Sequence, residues 1–174
     1  MSGPATPDSP QLAHQAIASP DCTLSFGMTR TPLSANLVGT WQLQSRTDRT
    51  RSGERRIEPS LGEDPIALLY YDRSGHFAAQ FMKRARDGAE PDAAVVGANN
   101  TRAIGGYDAY FGTYAVDDER GTVTQTLTGA LARENVGHVV TRGMRVDGDT
   151  LTIALDTTTG GEPVTRTLIW TRVG

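Results

Sequence analysis

In VGHVVTRGMRV, residues 136–146, His138 and Arg142 fall in phase with Val140, Met144 and Val146. Alternation of this kind marks a half-buried strand, so an imidazole and a guanidinium are directed to the apolar side. A buried charge is costly without a partner. Arg142 therefore calls for a carboxylate such as Asp108 or Glu134, or for the anionic group of a ligand. Near the end of a sheet, a backbone carbonyl or another side chain serves equally. An arginine so placed holds an anionic or enolic oxygen, and a Tyr or His beside it gives or takes a proton. TVTQTLTG, residues 122–129, repeats the pattern. Gln125 shares a face with Val123 and Leu127, where its amide bonds a ligand carbonyl or hydroxyl, or a neighbouring side chain.

A second concentration of chemistry is GGYDAYFGTYAVD, residues 105–117. The chain has two Trp, five Tyr and four Phe, and four of these eleven lie here as Tyr107, Tyr110, Phe111 and Tyr114. Their spacing of three, four and seven places them on one side of a helix. GTYAVD reads as a strand, so a short helix is expected up to about Phe111 and a strand from Gly112. The rings then close the end of a sheet structure or fill its core. Of Tyr70 and Tyr71, only one faces inward, and a buried tyrosine needs a partner for its hydroxyl. In GHFAAQFMK, residues 75–83, the favoured phase turns Phe77, Ala79 and Phe81 inward. The other phase makes His76 and Gln80 cavity groups.

The elements that must position these residues are mostly strands. LVGTWQLQS (37–45) alternates, with Leu37, Gly39, Trp41 and Leu43 on one face. IALLYY (66–71), DTLTIALD (149–156) and VTRTLIWTRV (164–173) complete the set. DDERG, DGD and TTTGGEP read as hairpin loops. Successive strands with short turns indicate an antiparallel sandwich or barrel. The Arg-rich run RTDRTRSGERR (46–56) reads as a solvated hairpin. The one long interruption, 84–106, has the length of a lid or binding loop. Residues 1–34 read as a disordered tail with a docking arm, in which Leu24, Phe26 and Met28 alternate; the barrel occupies 35–174.

Composition excludes several classes. With a net charge of −3, phosphate-driven nucleic-acid binding is not expected. No stretch approaches a membrane span, and the first residues do not form a secretory signal, so a cytoplasmic location is the default. One cysteine, Cys22, excludes a disulfide framework. His14, His76 and His138 lack metal-ligand spacing, and there is neither a nucleophile elbow nor a phosphate-cradling glycine loop. No metal and no cofactor are expected.

LVGTWQLQS, LLYYDRSGHFAAQFM, YDAYFGTYAVDDERGTV, VDGDTLTI and LIWTRV, in this order, resemble the lipocalin-like domain found as a stand-alone protein in bacteria and fungi; the resemblance covers about residues 36–174. It implies an all-β fold: a closed antiparallel β-barrel with a ligand cavity, here with one short helix and a flexible N-terminal tail. The Gly39-x-Trp41 pair is similar to that of true lipocalins, whose tryptophan closes one barrel end under a basic residue; Arg172 fills that part by cation–π stacking. Asn135, beside Glu134, stands where the family usually has an aromatic residue, which implies a more polar mouth if that position lines it.

Residues and resemblance together lead to a small-molecule-binding barrel acting as a cofactor-independent cyclase, isomerase or lyase on an apolar or aromatic, polyketide-like intermediate. Arg142, Tyr107 and His138 form the expected catalytic set; Tyr110, Gln125, Tyr71, Gln80, Trp41 and Phe111 contact the ligand. A non-catalytic carrier or sensor uses the same cavity, and an interaction module has a filled barrel. An N-terminal arm docked on a neighbouring barrel makes a homodimer.

Overall fold

The computed structural model describes residues 31–89 and 99–174. The tail and arm expected before residue 31, with His14 and Cys22, lie outside the described residues, as do residues 90–98 of the long connection.

Among the described residues a short helix α1 (Leu33–Asn36) is followed by nine strands: β1 (Gly39–Arg49), β2 (Arg55–Arg56), β3 (Ile66–Tyr71), β4 (His76–Met82), β5 (Tyr107–Asp117), β6 (Thr122–Ala130), β7 (Val139–Asp147), β8 (Thr150–Thr159) and β9 (Glu162–Arg172). Each pairs antiparallel with its neighbours, and β1 also pairs with β9. That last ladder closes β1 and β3–β9 into an eight-stranded barrel, as the resemblance implies; β2 is a two-residue extension of the β1 hairpin. Closure pairs the first and last strands of the barrel, which would otherwise be its free edges.

The closed end is built by the first strand. Trp41 is fully buried and donates its indole N–H to the Leu37 carbonyl at 2.9 Å. The Arg172 guanidinium lies 4.1 Å from the Trp41 ring, as expected, and donates to the carbonyls of Val38 and Asn36. Ser34 ties α1 to the end of β5 through the Asp118 carboxylate. The middle of the barrel is filled. Tyr71, Phe77, Val140, Met144 and Ile153 are all buried there, and the Gln125 amide donates to the Tyr71 hydroxyl at 2.7 Å.

Two expectations are corrected. Residues 107–111 are strand, not helix: Tyr107 pairs with Met82 and Tyr110 with Ala79. The ladder hydrogen bonds to β4 and β6 override the helical spacing, and β5 therefore separates the aromatic cluster. Tyr110 and Tyr114 turn inward, while Tyr107 and Phe111 turn outward. The second correction concerns 46–56. A bulge between Leu43 and Ser45 lets Gln44 stand as an extra residue on β1. One extra residue reverses the faces of all that follows. Below the bulge Trp41 points inward; above it Arg46 and Asp48 do, at 7% and 3% exposure. Only the remainder of the run is the solvated hairpin expected.

Candidate functional site

The end opposite Trp41 is polar and incompletely paired. β1 is bonded to β3 only over Gly39–Gln42, and β7 to β8 only over Gly143–Asp147. Above those ladders the strands part, and two connecting segments enter. Residues 58–61 fill the first gap, with Ser60 and Leu61 buried. The Glu58 carboxylate accepts from Ser60 N–H, the Ser60 hydroxyl and Leu61 N–H, which pins the turn. Residues 99–103 fill the second. Asn99 both accepts from the Thr141 N–H at 3.1 Å and donates to the Thr141 carbonyl at 2.7 Å, taking the place of a missing strand.

Between these segments lies a pocket of about 470 Å³, counted with its open mouth. Its floor is apolar: Phe81, Leu155 and Leu168. Its walls carry the charges. Arg166 grips Asp48 in two hydrogen bonds of 2.8 and 2.7 Å, and the Thr159 hydroxyl donates to the same carboxylate at 2.5 Å. Arg166 also donates to the Asn100 side-chain oxygen at 2.9 Å. Arg46 lies between Glu58, at 3.6 Å, and Asp48, at 3.9 Å, and its Nη1 is buried without a hydrogen bond. Burial, then the neighbouring Arg166, pushes Arg46 down to about 10, still a cation at neutral pH. Burial works against both carboxylates, yet hydrogen bonds outweigh it: Arg166 holds Asp48, and Ser60 holds Glu58, below the usual range.

The third arginine is different. Arg142 is buried, as its phase on β7 predicts, but among the described residues no carboxylate is within ion-pair distance; its Nη1 donates to the Tyr110 hydroxyl at 3.1 Å and its Nε makes no hydrogen bond. The guanidinium also lies 5.8 Å from the Tyr110 ring centre. Tyr110 accepts from Arg142 and keeps its own proton to donate. Two residues earlier on the same face of β5, Asp108 is 2% exposed. Its Oδ2 accepts from the Thr101 hydroxyl at 2.5 Å, whereas its Oδ1 is buried without any partner. Burial pushes the Asp108 carboxyl up to about 6, against the opposing pull of Thr101 and Arg142. The pocket thus holds one carboxyl poised near neutrality beside one arginine–tyrosine pair with donors to spare. Glu134, the other partner expected for Arg142, pairs with Arg102 instead.

A lipocalin-like domain model matches residues 38–173. The chain belongs to the lipocalin-like domain family. No curated protein matches it. Among solved structures it is similar to the crystal structure of Rv2717c from M. tuberculosis, at 16% identity and a TM-score of 0.36, over 83% of this chain and 99% of that one.

In this lipocalin-like barrel the residues singled out from the sequence separate into four groups. Arg142 and Tyr110 meet in the pocket. Tyr71 and Gln125 bond to each other in the filled layer below it, and Tyr71 also donates to the Met144 sulfur at 3.7 Å. Burial raises the Tyr71 phenol, which stays neutral. Trp41 is at the far end, under Arg172. The others are outside: the Tyr107 hydroxyl donates to Gln80 on the outer face at 2.8 Å, and Phe111 and His138 are exposed. Phe111 covers Gly129, where a Cβ would come within 2.4 Å of the Phe111 ring atom Cε1. β4 takes the favoured phase, with Phe77 and Phe81 inward. Asn135 is buried in the short turn before β7, away from the pocket lining. Arg46, Glu58 and Arg166 line the pocket and Asp48 pairs with the two arginines, none of the four singled out from the sequence; Asp108, expected as a partner for Arg142, lines the pocket outside ion-pair distance of it. Among the described residues no three His, Cys, Asp or Glu side chains gather to hold a metal, and no helix is long and apolar enough to cross a membrane.

Proposed function

We propose that this barrel binds a small organic molecule in its upper half and moves a proton on it without a cofactor, as an isomerase does. The observation that carries the reading is the bare Oδ1 of Asp108, buried in the same pocket as the underused donors of Arg142 and Tyr110. Buried polar atoms are normally paired. Perturbed carboxyls in clefts mark functional sites. In this reading Tyr110 and Arg142 hold the ligand's carbonyl or enolate oxygen. Asp108 gives or takes the proton. Phe81, Leu155 and Leu168 receive an apolar body. The filled layer of Tyr71, Gln125 and Met144 limits that body to a short chain or a single ring rather than a fused polyketide.

Proton exchange tests this directly. Incubated in heavy water with a panel of enolisable small ketones and keto acids, the protein should speed deuterium entry at the α-carbon. Asp108→Asn should lose about 10²–10⁴ of that rate, the usual worth of a positioned acid–base group. No exchange above buffer for any member removes the enzyme reading. Saturable binding without exchange would then favour a carrier, which needs the pocket but no proton transfer.

A further inference from the structure

We infer that the pocket takes its ligand as a monoanion together with one proton: the carboxylate of a small organic acid lodges against Arg142 and Tyr110, and Asp108 turns neutral to donate to it. This rests on the reading that a small molecule occupies the upper half of the barrel, and it names the class of that molecule.

The charges on the walls carry the inference. Among the described residues three cations face the pocket, Arg46 from β1, Arg142 from β7 and Arg166 from β9. Three carboxylates oppose them, Asp48 from β1, Glu58 from the segment before β3 and Asp108 from β5. β4 and β8 contribute Phe81 and Leu155, and residues 99–103 contribute neutral groups only. The set therefore sums to zero when Asp108 is ionised and to one positive charge when it is protonated. An added anion leaves a buried negative excess in the first state and none in the second, and a net buried charge is the costly case.

Only Asp108 is free to respond. Asp48 is gripped by Arg166 and Thr159, and Glu58 by Ser60 and Leu61. Asp108 has a donor on Oδ2 alone, so a proton on Oδ1 adds a hydrogen bond toward the ligand without breaking one. With that proton in place, Asp108, Tyr110 and Arg142 all present donors to one carboxylate. Asp108 also starts from about 6, so the proton comes at little cost at neutral pH.

The test is calorimetry of the full chain with butyrate, cyclohexanecarboxylate and benzoate, each beside its neutral amide. Titrations span about pH 5.5 to 8 in buffers of different ionisation enthalpy. Carboxylates should bind at least about tenfold more tightly than amides, and Kd should rise about tenfold per pH unit above about 6. Near pH 7.5, about one proton should be taken up per carboxylate bound. Asp108→Asn should bind carboxylates with a flat pH profile and no proton uptake. Arg142→Met should lose the preference over amides. Carboxylate binding without proton uptake overturns the inference, as does amide binding equal to that of the acids; in either case the small-molecule reading survives. No saturable binding of acid or amide up to about 10 mM overturns the inference too, and the exchange assay then judges the wider reading alone.

Discussion

Asp108→Asn should make the protein more stable at neutral pH, and by an amount that depends on pH. The carboxyl is pushed from 3.8 to about 6 by burial, net of the attraction of Thr101 and Arg142. One unit is about 1.4 kcal/mol, so the shift corresponds to about 3 kcal/mol. Because the folded value is the higher one, the folded state holds the proton more tightly than the unfolded chain. The stability this supplies is complete below the unfolded value and is lost as pH rises through the folded one. Above about pH 6.5 the ionised carboxylate is a burden on the fold. Asparagine keeps the volume, keeps an oxygen for the Thr101 hydroxyl and removes the charge. Urea unfolding with linear extrapolation reads the difference. At about pH 8 the variant should gain up to about 3 kcal/mol over wild type, shrinking to near zero below about pH 4. A variant less stable than wild type at the higher pH, or an offset that does not change with pH, refutes the argument that this carboxyl is held against its solvation for function.

Other perturbations probe the frame around it. Asp48→Ala leaves Arg166 buried without its two hydrogen bonds and should cost about 3–5 kcal/mol in urea unfolding, as breaking a buried ion pair does. Arg172→Ala removes the cation from the Trp41 ring and two bonds to carbonyls; it should lower stability by about 2 kcal/mol and shift tryptophan emission to the red as the closed end opens. Tyr107→Ala and His138→Ala alter only the outside of the barrel, so ligand affinity in the calorimetric panel should stay within about twofold of wild type.

Much of the barrel was readable from alternation. Arg142, Gln125 and Tyr71 point inward because nothing breaks the period of their strands, and the Trp41–Arg172 stack follows from the family pattern. Arg166 carries the same signal as Arg142, lying in phase with Val164, Leu168 and Trp170. Arg46 and Asp48 do not. The bulge at Gln44 turns them inward, and no residue type in LVGTWQLQS announces it. Asp108 was named only as a partner for Arg142, and its place on the inner face of a strand was hidden by a competing period. The spacing of Tyr107, Tyr110 and Tyr114 also suits a helix, and only the pairing with β4 decides for a strand, in which Asp108 and Tyr110 share the inner face. A site assembled from a phase reversal and a long-range ladder was legible in its arginine and in the name of its acid, but not in the acid's position or its missing ion pair.

Asp108, a buried, partner-poor acid beside Arg142 and Tyr110, is the centre of the site. Carbon-13 NMR of the aspartate carboxyls, assigned with Asp108→Asn and titrated across the acidic range, measures that state directly. One resonance, absent from the variant, should titrate near 6 in the free protein and move higher when benzoate is bound. An Asp108 carboxyl that titrates below about 4, like an ordinary surface aspartate, would contradict the account.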